Sequence, residues 1–82
     1  MIWYFYIVRC SDNSLYSGVT TDIKRRIKVH NLGKGAKYTR SRLPVKLKYS
    51  EKYRTRVRAM QREWEVKQFT RKEKLLLIKE GK

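Results

Sequence analysis

Trp3-Tyr4-Phe5-Tyr6-Ile7-Val8-Arg9-Cys10, then Ser11-Asp12-Asn13-Ser14, then Leu15-Tyr16-Ser17-Gly18-Val19-Thr20 follow one another near the start of the chain. The outer stretches are β-branched and aromatic and the middle one is turn chemistry, so the three read as a β-hairpin. On the first strand Tyr4 and Tyr6 share one face, opposite Trp3, Phe5 and Ile7, which are expected to face the core. On the second, Tyr16, Gly18 and Thr20 share a face. Whether Tyr6 and Tyr16 meet depends on the loop. An odd loop, such as Ser11-Asp12-Asn13 with Asn13 in the left-handed region, puts them on one face, and an even loop separates them.

Outward from the hairpin, Thr20-Thr21-Asp22 offers an N-cap for a helix with Ile23 and Ile27 at i and i+4. It should run to about Leu32 and stop at Gly33. Residues 33–43 read as a basic loop with no apolar period. Pro44 opens a third strand in which Val45, Leu47 and Tyr49 alternate with Lys46, Lys48 and Ser50. Thr55 can cap a second helix with Val57, Met60 and Trp64 on one face, and Thr70-Arg71-Lys72-Glu73 has capping-box form before a last helix containing Leu75 to Ile78. The order is β-β-α-β-α-α. The expected fold class is α+β, a small three-stranded antiparallel sheet flanked by helices, in a single domain over residues 1–82.

Eighty-two residues allow one thin core and no second domain. One cysteine, Cys10, excludes an internal disulfide framework and a cysteine-based zinc site. The apolar opening ends at Arg9, too short for a signal peptide or a membrane span, so a soluble cytoplasmic protein with no membrane partner is expected. The net charge of +15 is concentrated: residues 24–58 hold fourteen Lys and Arg against one acid, Glu51. Such a field suits a polyanion, because neutralised phosphates release their condensed counterions. Arg25, Lys34, Lys37, Tyr38, Arg40 and Arg42 are the candidate nucleic-acid contacts. A merely solvated surface is the ordinary alternative.

Chemistry needs more than charge. Arg26 and His30 lie at i and i+4 and project from the same side of the first helix. Arg26 offers a planar fork for phosphate oxygens, and His30 can bond a phosphate or a phenol or carry a proton. Their bland readings are a solvated base and a packed histidine. Glu63 falls on the second helix at the edge of its apolar stripe, near Ala59, Met60 and Val66. A carboxylate turned inward needs a partner, a cation or a shifted pKa, and Mg²⁺ or Mn²⁺ would suit it. The commoner fate is a pair with Arg62 or Lys67. Glu65, flanked by Arg62 and Lys67, reads as a surface residue.

In this order and spacing the residues resemble the GIY-YIG nuclease domain. The resemblance rests on Tyr4-Phe5-Tyr6, on Tyr16-Ser17-Gly18 ten residues after Tyr6, on Arg26 ten after Tyr16, on His30, and on Glu63 in a later helix. Residues 33–40 and 62–67 look like the short standalone bacterial members, relatives of the catalytic subunit of structure-specific junction endonucleases. The first motif carries Tyr4 and Phe5, and the second Ser17, where the name-giving residues would stand. The family's frequent asparagine about twelve residues past the glutamate is absent, that region being Leu75-Leu76-Leu77.

The resemblance implies Tyr6 and Tyr16 as the motif tyrosines, Arg26 as the phosphate clamp, His30 as its helical companion and Glu63 as the metal ligand. It implies metal-dependent hydrolysis of DNA phosphodiesters in repair or recombination, with structure rather than sequence specificity, on branched or nicked DNA or with a protein partner supplying the target. Tyr6 is expected to orient or deprotonate the water, with nearby cations favouring its phenolate. A non-catalytic DNA- or RNA-binding module using residues 24–58 is the alternative.

Overall fold

The computed structural model describes residues 1–81. Two strands, β1 (Trp3–Arg9) and β2 (Leu15–Thr20), form the hairpin. They are followed by α1 (Ile23–Asn31), a short α2 (Lys37–Arg40), β3 (Lys46–Tyr53), α3 (Arg56–Lys67) and α4 (Arg71–Gly81). The sheet is antiparallel in the order β2-β1-β3, with β1 central.

The hairpin loop is odd. Cys10 N donates to the Ser14 carbonyl at 2.9 Å, closing Ser11-Asp12-Asn13, and Asn13 takes φ 68°. Val8 therefore pairs with Tyr16 and Tyr6 with Gly18, so both tyrosines lie on one face. The helix ends follow the expected local chemistry. Asp22 Oδ1 accepts from Arg25 N at 3.1 Å and Thr55 Oγ1 from Arg58 N at 3.2 Å. Thr70 and Glu73 exchange the two bonds of a capping box. Gly33, at φ 77°, ends α1 in a conformation that suits a residue without a β-carbon.

Three expectations change. The sheet is buried on both faces, not on the Phe5 face alone. Phe5, Ile7 and Tyr49 pack with Val66, Phe69, Leu77 and Ile78 beneath α3 and α4, while Tyr6, Val8, Cys10 and Val45 pack with Ile27 and Leu43 beneath α1. Val45, Leu47 and Tyr49 do not share a face. The pairing slips between Ile7–Tyr49 and Val8–Leu47, leaving Lys48 as an extra residue, and a bulge of that kind turns the rest of β3 over. The apolar stripe of α3 is also misplaced. Val57, Met60 and Trp64 are exposed, and α3 buries Ala59 and Val66. Small Ala59 permits close approach to the sheet, which a Trp64 face would not.

The loop at residues 33–43 also holds more order than its composition suggests. Thr39 Oγ1 donates to the Ala36 carbonyl at 3.0 Å and Arg42 NH1 to the Tyr38 carbonyl at 2.7 Å, which close the single turn of α2. No helix among the described residues is long and apolar enough to cross a membrane.

Candidate active site

Gly18 lies opposite Tyr6 on the neighbouring strand, and a β-carbon there would stand 2.6 Å from Tyr6 Oη and 2.8 Å from its ring. Bare backbone at Gly18 is what lets the phenol lie down over β2. The ring is 1% exposed. From its hydroxyl, polar contacts fan into α1. His30 Nε2 is 2.9 Å from Tyr6 Oη, and Arg26 Nε donates to the same oxygen at a long 3.4 Å. Beyond the imidazole, His30 Nδ1 is 2.9 Å from Thr39 Oγ1. His30 and Thr39 are both fully buried.

Tyr16 joins through its ring, packed edge-on against His30 at 5.6 Å between centroids and stacked on Tyr38 at 5.8 Å. The Arg42 guanidinium covers the outer face of Tyr38 at 3.9 Å and donates to Asp12 Oδ2 at 3.1 Å. Of the expected nucleic-acid contacts, Arg25, Lys34, Lys37 and Arg40 stand exposed with no ion pair among the described residues. Arg42 departs from that expectation. The nearby Asp12 carboxylate and the Tyr38 ring already occupy it, so it braces the loop against the hairpin. Tyr38 is 39% exposed.

Glu63 stands on α3, its side chain one-fifth exposed and paired with Lys67 Nζ at 3.3 Å. Its negative charge is felt at Tyr6. Burial pushes the Tyr6 phenol above its ordinary value, and the charges of Tyr16 and Glu63 add to that. Arg26 pulls the other way through its hydrogen bond and charge, and loses. This reverses the expectation of a cation-stabilised phenolate: most of the surrounding bases are exposed, where water screens them, while the phenol is buried. Glu65 pairs with Arg62, as a surface residue should.

His30 is held below its ordinary 6.5, first by burial and then by the positive charge of Arg26. The unfolded chain therefore takes up a proton near pH 6.5 and the folded chain only further down. Between those values the unfolded state binds more protons, so stability falls with acidification. With only one histidine in the chain, a nuclear magnetic resonance titration isolates the effect. The imidazole midpoint should lie below 6.5, with thermal stability declining as pH drops from 6.5 toward it. A midpoint at or above 6.5 would refute this.

Among the described residues no three His, Cys, Asp or Glu side chains gather into a metal cage. A single carboxylate does not suit zinc, which takes most of its ligands from the protein. It does suit Mg²⁺ or Mn²⁺, which are content with one carboxylate, waters and substrate phosphate. Lys67 is more than half exposed and free to swing away. A cleft of about 320 Å³ lined by Thr20, Asp22, Arg25, Arg26 and Val29 opens beside Arg26. A larger one of about 400 Å³ lies elsewhere, between β3 and α3, and its Glu51, Arg62 and Glu65 are spent on each other.

Sequence reasoning missed Thr39 and Glu51. Nothing local marks Thr39, one hydroxyl in a basic loop. Glu51 did carry a signal, since Tyr49 and Tyr53 flank it at two-residue spacing on one face of a strand. Tyr49, Tyr53 and Arg62 all donate to its carboxylate, with Tyr53 Oη at 2.5 Å and Arg62 Nε at 3.0 Å. In the region where the family's frequent asparagine is absent, Leu77 packs against the Phe5 and Val66 cluster, while Leu75 and Leu76 are exposed.

Residues 2–75 match the model of the GIY-YIG catalytic domain. A UPF0213 protein of Streptococcus agalactiae is 57% identical over 79 residues, covering 96% of this chain and 90% of that protein. The solution structure of the UPF0213 protein BH0048 from Bacillus halodurans superimposes with a TM-score of 0.62 at 47% identity. That of the protein EF2693 from E. faecalis gives 0.65 at 43%. Each comparison covers 96% of this chain and 84% of the solved one.

Proposed function

The chain belongs to the GIY-YIG family, a nuclease superfamily, and from that premise we propose that it is a divalent-metal-dependent endonuclease that hydrolyses DNA phosphodiesters. One observation carries the reading. Arg26 and His30 converge on the hydroxyl of Tyr6, and the charge of Glu63 reaches the same atom. A phosphate clamp, a phenol, a proton carrier and a carboxylate are the parts that such hydrolysis needs.

In this reading Glu63 would hold Mg²⁺ or Mn²⁺, which would supply charge stabilisation to the phosphate under attack. Arg26 binds a non-bridging phosphate oxygen with the part of its fork that Tyr6 leaves free. Tyr6 holds Arg26 and directs the attacking water, and His30 relays the proton. A free phenolate plays no part, because burial raises the Tyr6 pKa. Tyr16 keeps the imidazole in place from the side. Arg25, Lys34, Lys37 and Arg40 track the backbone. Phosphate contacts of this kind position a protein without reading sequence, which favours recognition of branched or nicked DNA, or targeting by a protein partner, and a role in DNA repair.

The test is cleavage of plasmid, flap and branched DNA with Mg²⁺, with EDTA, and over a salt series. Cleavage should require the metal. DNA affinity should fall by roughly 10³-fold between 50 and 200 mM salt if about six phosphates are contacted. Tight binding without cleavage of any substrate would instead favour a non-catalytic binding module.

A further inference from the structure

We propose that Thr39 is a positioning residue that fixes the tautomer of His30 and so the direction in which the Tyr6 proton can move. The inference deepens the nuclease reading above, but its first measurement does not depend on it.

The argument is a count of protons and lone pairs. Thr39 has one hydroxyl proton, and the Ala36 carbonyl 3.0 Å away can only accept it. The Ala36 carbonyl also accepts from Thr39 N at 3.1 Å, and with the hydroxyl proton directed to it as well, Thr39 Oγ1 presents a lone pair to His30 Nδ1 at 2.9 Å, so Nδ1 carries the ring proton. Neutral imidazole has only one, and Nε2 is left as an acceptor. Tyr6 Oη, 2.9 Å from Nε2, must then donate to it, which frees its oxygen to accept from Arg26 Nε. Every polar atom along the line is satisfied, in keeping with the absence of unpartnered buried side-chain polar atoms among the described residues.

The opposite tautomer fails the same count. With the proton on Nε2, Tyr6 Oη receives from both His30 and Arg26, and its own proton has no acceptor among the described side chains. Thr39 would also have to turn from the Ala36 carbonyl to feed Nδ1. A buried line of this kind has one consistent polarity.

The polarity has a chemical consequence. As a water gives a proton to Tyr6 Oη, Tyr6 passes its own to Nε2, and the imidazole becomes imidazolium with Nδ1–H still held by Thr39. No group need exist as free phenolate. The loop that carries Thr39 is built for closeness: a β-carbon on Gly35 would collide with His30 Nδ1, so that side chain is absent where the loop meets the ring. The exposed neighbours Lys37 and Arg40 belong to the same turn, which places phosphate-seeking charge and the tautomer lock on one short element.

The chain's single histidine makes the test direct. Long-range ¹H–¹⁵N correlation spectra of the full-length protein above the imidazole titration should show protonated Nδ1 and bare Nε2. Thr39→Val keeps the shape and removes the lone pair. It should shift the spectrum toward the Nε2–H form and slow cleavage by about 10²-fold, the lower end of general acid–base contributions, with DNA affinity unchanged. Thr39→Ser should restore both. Nε2–H in the parent protein, or a Thr39→Val protein that keeps both spectrum and rate, would overturn the proposal. Should Thr39→Val not fold, the parent spectrum and that of Thr39→Ser decide it. If the protein cleaves no DNA, the spectrum still decides the tautomer, and only the nuclease reading falls.

Discussion

A Glu63→Gln protein is expected to bind DNA at least as tightly as the parent and to cut it at least about 10²-fold more slowly, a loss of the size seen when one transition-state stabiliser is removed. The substitution keeps the shape of the side chain and deletes its charge. It releases Lys67, whose pair with Glu63 is exposed enough to be worth about 0–1 kcal/mol, so α3 should remain folded. Measured in EDTA, removing a negative charge beside a polyanion site does not weaken encounter, so binding lost under that condition would indicate misfolding and not lost chemistry. The measurement is single-turnover cleavage over a Mg²⁺ series, with affinity from the same protein. Parent-like cleavage by a folded Glu63→Gln protein would remove Glu63 from the site.

The second large effect is on stability. Glu51→Ala should cost about 3 kcal/mol, the lower end of what is lost when one partner of a buried ion pair is removed. Arg62 would be left with its Nε and NH2 donors unmatched on that side, and Tyr49 and Tyr53 without their acceptor. Glu51 and Arg62 are each about one-fifth exposed, which keeps the figure from rising further. The titration agrees in direction. Burial alone would raise the Glu51 carboxyl, but hydrogen bonds from Tyr49, Tyr53 and Arg62 hold it below its ordinary value, while both phenols are pushed up to about 12. A depressed carboxyl adds stability above the unfolded pKa near 4.5, and that stability is lost as pH falls through the folded value. Urea unfolding at pH 7 measures the loss. A change under 1 kcal/mol would mean that the network is ornamental. Arg62 directly precedes Glu63 on α3, so a double-mutant cycle between Glu51→Gln and Glu63→Gln on cleavage would detect coupling between the network and the site.

What could be read from the chain was local. Asp22, Thr55 and the Thr70–Glu73 pair name their helix starts because a cap is made within three residues. For the face of Tyr16 the chain offered an odd or an even loop, and the structure takes the odd one with Asn13 left-handed. The errors arose where distant partners decide. Val57, Met60 and Trp64 obey helical spacing and outweigh Ala59 in hydrophobicity, yet the sheet wants a small residue at closest approach, so α3 is turned the other way. The bulge at Lys48 depends on how β3 meets β1, which no window of β3 contains. The ionisation of Tyr6 was misjudged by counting nearby bases without knowing that they face water. Thr39 was invisible because its importance is a lone pair offered to a residue nine positions earlier. Which side chains to set side by side came from the family resemblance, and how Tyr6, Arg26 and His30 are hydrogen-bonded could not be read from the chain at all.

The loop Ser11-Asp12-Asn13 behaves like a reading frame for everything after it. No side chain of the three enters the Tyr6–His30 line, yet Asp12 holds Arg42 and Asn13 takes φ 68°, so composition matters there. Length matters more. If the three-residue closure is kept, deletion of one residue would re-register β2 so that Ser17 and Val19 faced α1, setting Val19 against Tyr6 where Gly18 now yields and turning Tyr16 toward the Phe5 side. Two residues added with the same closure would restore the face but set Tyr16, not Gly18, opposite Tyr6. Insertions at this tip should therefore be tolerated only where a longer loop absorbs them and leaves Gly18 opposite Tyr6.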